Sequence, residues 1–134
     1  FRNASRILKK QKNNLKINSS KMIEIRNLSE VFAKEVSKKK LDLSKVGKLI
    51  ERNWELKKGL TNLTTNKEIN DIHKFGLKND VLGSKLLGAG GGGFILFIVK
   101  KKNQKKIIKK FKKKGYRVYN FSIDSKGTTI KKII

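Results

Sequence analysis

A chain of 134 residues with 37% hydrophobic content can bury one core, and must do so economically. It has no cysteine and a single histidine, His73, which removes disulfide frameworks and thiolate sites and argues against a zinc or copper centre. The formal charge of +25 points first to a polyanion, yet 30 of the 35 basic residues are Lys and only 5 are Arg, a bias of AT-rich coding more than of a nucleic-acid reader built on Arg.

The longest uncharged stretch, residues 86–99, covers 14 positions and is rich in glycine. A membrane span takes about 20 apolar residues, so no membrane partner is expected. The opening FRNASRILKK is charged rather than apolar, so no signal peptide is read and a cytoplasmic setting is expected. Because the sequence begins at Phe1 and not at Met, it is expected to be a piece of a longer chain.

In chain order, residues 3–15 carry Ala4, Ile7, Leu8 and Leu15, a modest helical stripe. Residues 21–39 place Met22, Ile25, Leu28, Phe32 and Val36 at spacings of three and four, a stronger helix. A third helix starts at Asp42 or Ser44, either of which can cap it, and shows Leu43, Val46, Ile50 and Trp54 on one face. After a loop over 59–64, Thr65 and Glu68 form a capping-box pattern that opens a fourth helix through Ile69, Ile72 and Leu77, ending near Asn79. The period then changes. Residues 85–87 and 94–99 read as strands around a glycine block, and Asn103 caps a short helix carrying Ile107, Ile108 and Phe111, stopped by Gly115. Tyr119, Phe121 and Ile123 alternate as in a strand, and residues 128–133 read as a last one after a turn at 125–127. The sum is α+β: a helical N-terminal half, then a mainly antiparallel four-stranded sheet with helices packed on one face. Without proline or a Ser/Gly linker, residues 1–134 are one domain.

The block Gly88-Ala89-Gly90-Gly91-Gly92-Gly93 is the chemical puzzle. A Walker loop needs Lys and Ser/Thr directly after its last glycine, and here Phe94 and Ile95 follow. Gly88, Gly90 and Gly93 match the dinucleotide fingerprint by letter, but a strand follows instead of a helix, and no Asp or Glu occurs between Val81 and Ile123 to hold a ribose. A protein-kinase glycine loop fails for want of a catalytic-loop signature and magnesium ligands. A tight connection between strands is the plain alternative. Four consecutive glycines, however, each cost about 0.5–1 kcal/mol of chain entropy, which implies that something must come close to this backbone.

The run from Leu82 to Phe94, LGSKLLGAGGGGF, with Trp54-Glu-Leu-Lys-Lys58 and Ile69 upstream, resembles the C-terminal half of a GHMP-family small-molecule kinase. That family takes its name from the galactose, homoserine, mevalonate and phosphomevalonate kinases. Within it the chain is most similar to sugar kinases acting on D-glycero-D-manno-heptose 7-phosphate and related sugars. Ser5, Arg6, Ile7, Leu8 and Gln11 also resemble a segment that follows the N-terminal domain in those kinases, so the likeness runs from about Arg6 to Val99. It implies a ferredoxin-like C-terminal domain whose third motif, Gly88 to Gly93, leans on the phosphate loop of a separate ATP-binding domain. The implied cofactors are ATP and Mg2+, and the implied partners are a sugar phosphate and the chain's own N-terminal kinase domain. No P-x-x-x-G-L-G-S-S-like stretch and no catalytic acid beside one occur in this sequence, so no catalytic or metal-binding residue is assigned here and the chain alone is expected to be inactive.

Two cations remain as candidates for substrate or phosphate contact. The resemblance places Arg6 in a cleft-facing segment, and Lys85 precedes the glycine block; a surface position is the other reading of each. Residues 100–114 hold ten lysines around Ile107, Ile108 and Phe111. They read as a solvated helix docked through its apolar face, with a basic surface for nucleic acid or anionic lipid as the alternative. Trp54 is read as core and His73 as a surface or boundary residue. The second function that the sequence allows is a small basic α+β module binding nucleic acid, and a degenerate fragment without activity is the third; no specific nucleic-acid partner is expected under the leading one.

Overall fold

The computed structural model describes residues 4–124 and 126–128. Five helices and two strands follow in the order α1 (Ala4–Asn13), α2 (Ser19–Val36), α3 (Leu43–Lys58), α4 (Lys67–Leu77), β1 (Gly83–Leu86), β2 (Ile95–Ile98) and α5 (Gln104–Lys113), with a 3-10 turn at Lys101–Asn103 leading into α5.

Local chemistry sets the helix starts. Oδ1 of Asp42 accepts the amides of Ser44 at 2.9 Å and Lys45 at 3.2 Å, so Asp42 and not Ser44 caps α3. Those same amides, Lys45's first, hold the Asp42 carboxyl below its usual range. The expected capping box at Thr65 is corrected. Asn66 is the cap of α4, its Oδ1 accepting the Ile69 amide at 2.9 Å, while Thr65 donates its hydroxyl to Asn70. The bond from the cap side chain to the third helical amide is the usual N-cap arrangement, and Asn is at least as good a cap as Thr. Asn103 does precede α5, but its side chain makes no capping hydrogen bond, because the 3-10 turn has already begun there.

α2 lies on α3 through half-buried Ile25, Leu28 and Phe32 and the Arg52–Glu24 ion pair at 2.7 Å. Its stripe is shorter than the sequence implies, since Met22 and Val36 at the two ends are exposed. α3 in turn lies along β1. Gly47 and Gly83 make this contact possible: a Cβ on Gly83 would stand 2.0 Å from the Gly47 carbonyl oxygen. Ser84's amide, at the β1 edge that β2 does not use, donates to Oε2 of Glu51 at 3.0 Å. A helical carboxylate thus does for β1 what a neighbouring strand would do.

β1 and β2 pair antiparallel, with Gly83 opposite Ile98 and Leu86 opposite Ile95. Alternation along the strands puts Ser84, Leu86, Ile95 and Phe97 on one face. There Trp54, Ile69 and Leu86 form one buried cluster with Ile95 against it. Val81, Ile107 and Phe111 form a second, joined by Ile72, Phe75, Phe97, Val99, Tyr116 and Val118. α5 therefore docks through Ile107 and Phe111 and leaves most of its lysines exposed, as the solvated-helix reading expects, with Lys106 on Asp80 and half-buried Lys110 donating to Asn79. Trp54 is core, as read.

The α+β class stands, but four strands do not appear; two are described. Residues 119–123 pair with nothing among the described residues, and Tyr119, Phe121 and Ile123 are all exposed, the last at 91%. Alternating apolar residues supply a face, whereas a strand also needs a backbone neighbour with which to exchange hydrogen bonds. Tyr119 instead meets Phe94 edge to face at 5.6 Å. The expected strand at 128–133 lies, beyond Thr128, outside the described residues.

Candidate functional site

The loop between β1 and β2 is closed at its base by the Leu87 amide donating to the Phe94 carbonyl at 2.9 Å. Gly88, Gly90, Gly91, Gly92 and Gly93 all have φ between 69° and 151°. Side chains rarely adopt such values, so the glycine run is demanded by backbone shape and is not a flexible spacer. Gly90 is buried against residue 64: a Cβ there would lie 2.9 Å from Thr64 Cα. The Gly91 amide donates to the Thr64 carbonyl at 2.9 Å, and a Cβ on Gly91 would come within 3.2 Å of Ile7 Cδ1. Three segments thus meet at the loop: α1 through Ile7, the 60–64 turn, and the glycines. Among the described residues, the amides of Gly88, Ala89, Gly90, Gly92 and Gly93 have no backbone or side-chain acceptor.

The turn over 60–64 is itself fixed from α2 and the residues before it. Asn18 Nδ2 donates to the Leu60 carbonyl at 2.9 Å, and Lys21 Nζ to the Gly59 carbonyl at 2.9 Å. Thr64 is fully buried, and its hydroxyl has no partner among the described residues.

Cations stand beneath the loop. Lys57 Nζ donates to the Gly88 carbonyl, and Lys85 Nζ donates to Asn53 Oδ1 at 2.6 Å. Asn53 and Lys57 are one turn apart on the same face of α3. Both lysines are half-buried, and among the described residues neither has a carboxylate partner. Burial pushes both ammonium groups below the usual lysine value of 10.5, and for Lys57 the charge of Lys85 pushes further. The sign of the linkage follows. From the lowered folded values up to 10.5 the unfolded chain holds more protons, so this pair makes stability rise with pH across that window. Urea unfolding of Lys57→Met/Lys85→Met is expected to give a flatter dependence of stability on pH, from neutrality towards 10.5, than the wild type. An unchanged slope contradicts this account of the pair.

Of the residues singled out from sequence, Gly88 to Gly93 form the loop itself and Lys85 lies at its foot. Arg6 is exposed on α1, next to Ile7, which touches the loop. Sequence reasoning passed over Lys57, although it is the lysine of the Trp54-x-x-Lys57 pattern, and over Asn53; their i, i+4 spacing was the available signal.

His73 is corrected from surface to interior. It is 5% exposed, with Nε2 at 2.6 Å from Glu51 Oε1. Glu51 accepts from the Ser84 amide with its other oxygen, so as a carboxylate it also accepts from an Nε2–H of His73. Glu51, Glu55 and His73 do bring three ligand atoms within 4.8 Å of one another. Glu51 is nevertheless occupied on both oxygens, and Glu55 pairs with Lys58 at 2.5 Å. The group is a latch that ties α3, α4 and β1 together.

No helix among the described residues is long and apolar enough to cross a membrane. No curated protein matches the chain. A family model does: GHMP kinases C terminal, over residues 32–117, a range that takes in the glycine loop, Lys57 and Lys85 and leaves α1 with Arg6 outside. The chain belongs to the GHMP kinase family, as its C-terminal domain.

Proposed function

We propose that the chain serves an ATP-dependent sugar kinase that transfers a phosphoryl group to a sugar phosphate such as D-glycero-D-manno-heptose 7-phosphate. In this reading the glycine loop forms one wall of the phosphate site and an N-terminal ATP-binding domain forms the other. The observation that carries it is the loop's construction: a row of positive-φ glycines pinned to Thr64 through the Gly91 amide, the other amides unengaged among the described residues, and underlain by two lysines that meet no carboxylate there. Such a surface offers donors and positive charge at close range, which suits a phosphoryl group. The phosphorylated-sugar acceptor rests on the sequence likeness of LGSKLLGAGGGGF with its upstream Trp54-x-x-Lys57.

ATP's phosphates fit the donors present. Mg2+ does not, because among the described residues neither lysine pairs with a carboxylate, Glu51 and Glu55 of α3 are engaged with His73, the Ser84 amide and Lys58, and no acid occurs between Val81 and Ile123. The metal ligands therefore fall to the other domain, and what this surface supplies is charge complementarity and loop support. The nucleic-acid module has no observation in its favour, since the apolar residues of α5 are spent on docking to the sheet.

The test is turnover. Joined behind a GHMP N-terminal domain, the chain is expected to consume ATP in the presence of Mg2+ and a heptose or hexose phosphate, and to prefer that acceptor at least tenfold over the unphosphorylated sugar. The chain alone is expected to be silent. Equal use of both acceptors overturns the sugar-phosphate assignment.

A further inference from the structure

The geometry points to Lys57 and Lys85 as the two jaws of a subsite for one terminal, doubly charged phosphoryl group, set between α3 and the foot of the glycine loop. The assignment deepens the kinase reading above and rests on it for the identity of the phosphate's carrier.

Two lysines from different elements stand close together here, one from α3 and one from β1, and each ammonium group donates to a neutral oxygen: the Gly88 carbonyl for Lys57, Asn53 Oδ1 for Lys85. Four other cations among the described residues pair with acids: Lys38 with Glu35, Arg52 with Glu24, Lys58 with Glu55 and Lys106 with Asp80. Lys10, Lys21 and Lys110 also donate to neutral oxygens; Lys57 and Lys85 differ in lying close to each other while half-buried. Among the described residues Lys57 and Lys85 pair with no acid although both are half-buried, and Glu51 and Glu55 project from the other side of α3 from Asn53 and Lys57. Those two carboxylates are turned instead to His73, the Ser84 amide and Lys58.

Holding two like charges together, partly out of water and without an anion, opposes folding. The cost is removed when a group of matching charge enters, and a dianionic phosphate matches two ammonium groups. The neutral acceptors keep the ammonium groups aimed without neutralising them. Asn53, one turn before Lys57, holds Lys85 from the same helix that carries the other jaw, so a shift of α3 moves both together.

The experiment is a titration of the 134-residue chain, followed through the side-chain signals of Lys57 and Lys85 and the amides of 84–93 by NMR. The probes are inorganic phosphate, a hexose 6-phosphate, the free hexose, and ATP with Mg2+, each at about 0.15 M salt, where non-specific attraction to a +25 protein is strongly screened. Phosphate and at least one phosphorylated ligand are expected to move both lysine signals together, and the free hexose to move neither. Lys57→Met and Lys85→Met are each expected to weaken binding about tenfold or more, and Lys113→Met on the exposed face of α5 to leave it unchanged. Methionine keeps the apolar stem, and an unaltered amide spectrum and melting point certify the fold of each variant. The response to hexose phosphate without ATP identifies the acceptor as carrier; a response to ATP alone identifies the nucleotide. Wild-type lysine signals that stay still with every probe, or a loss of binding no larger in the two variants than in Lys113→Met, overturn the subsite. Because binding is read on the chain itself, that failure leaves the turnover test of the kinase reading untouched, and absent turnover leaves the binding result standing.

Discussion

Gly83→Ala is expected to lower folding stability by about 3 kcal/mol or more. The added Cβ would stand 2.0 Å from the Gly47 oxygen, 2.6 Å from its carbonyl carbon and 2.9 Å from its Cα. All three are backbone atoms, so no side chain can swing aside. α3 must retreat from β1, and the retreat draws Glu51 Oε2 away from the Ser84 amide, which it meets at 3.0 Å. The Glu51–His73 contact at 2.6 Å then loses its anchor, and a buried imidazole is left with a weakened partner. Gly88→Ala is the comparison, because a Cβ there meets nothing within 4 Å and only the φ of 79° opposes it. That strain costs about 1 kcal/mol. Urea unfolding of both variants checks the contrast. A Gly83→Ala protein within about 0.5 kcal/mol of wild type, or one no worse than Gly88→Ala, contradicts the close α3–β1 approach.

The second large effect is functional. Gly90→Ala, made in the chain joined to an N-terminal kinase domain, is expected to cut kcat about a hundredfold while the protein stays folded. Gly90 is buried on Thr64, and its Cβ would come to 2.9 Å from Thr64 Cα and 3.0 Å from the Thr64 oxygen. The same Thr64 oxygen accepts the Gly91 amide, so relieving the clash displaces the bond that fixes the loop's crest. Displacing the loop by about 1 Å misplaces every donor on it relative to the phosphoryl group, and positioning is most of what such a surface contributes. The emission of Trp54, the only tryptophan and 1% exposed, reports whether the variant is folded. Activity near wild type in folded Gly90→Ala contradicts a loop held to close tolerance.

The helices were legible because each carries its apolar stripe and punctuation in a continuous window. Val46, Ile50 and Trp54 at spacings of four announced the buried face of α3, and Asp42 announced its start. The glycine block was legible as a backbone device by its own cost, and the structure gives five of its residues positive φ. What stayed hidden depends on contacts across the chain. Glu51 meeting Ser84 and His73 joins residues more than twenty positions apart, and nothing local marks His73 as interior when it sits one position from the Ile69 and Ile72 stripe. Lys57 and Lys85 are ordinary among 30 lysines until the fold sets one on the helix beside the other's strand. The sheet was overread for a related reason. Tyr119, Phe121 and Ile123 alternate correctly, but pairing is decided by a neighbour that the pattern cannot supply.

The measurement that bears most directly on the whole account is ATP consumption with Mg2+ and a hexose or heptose phosphate, compared between the chain alone and the chain joined behind a GHMP N-terminal domain. No turnover from the chain alone, and acceptor-dependent turnover from the joined protein that falls sharply in Gly90→Ala, is the result predicted. Phosphorylation of the sugar phosphate by the 134-residue chain alone would contradict the claim that its glycine loop is one wall of a site completed elsewhere.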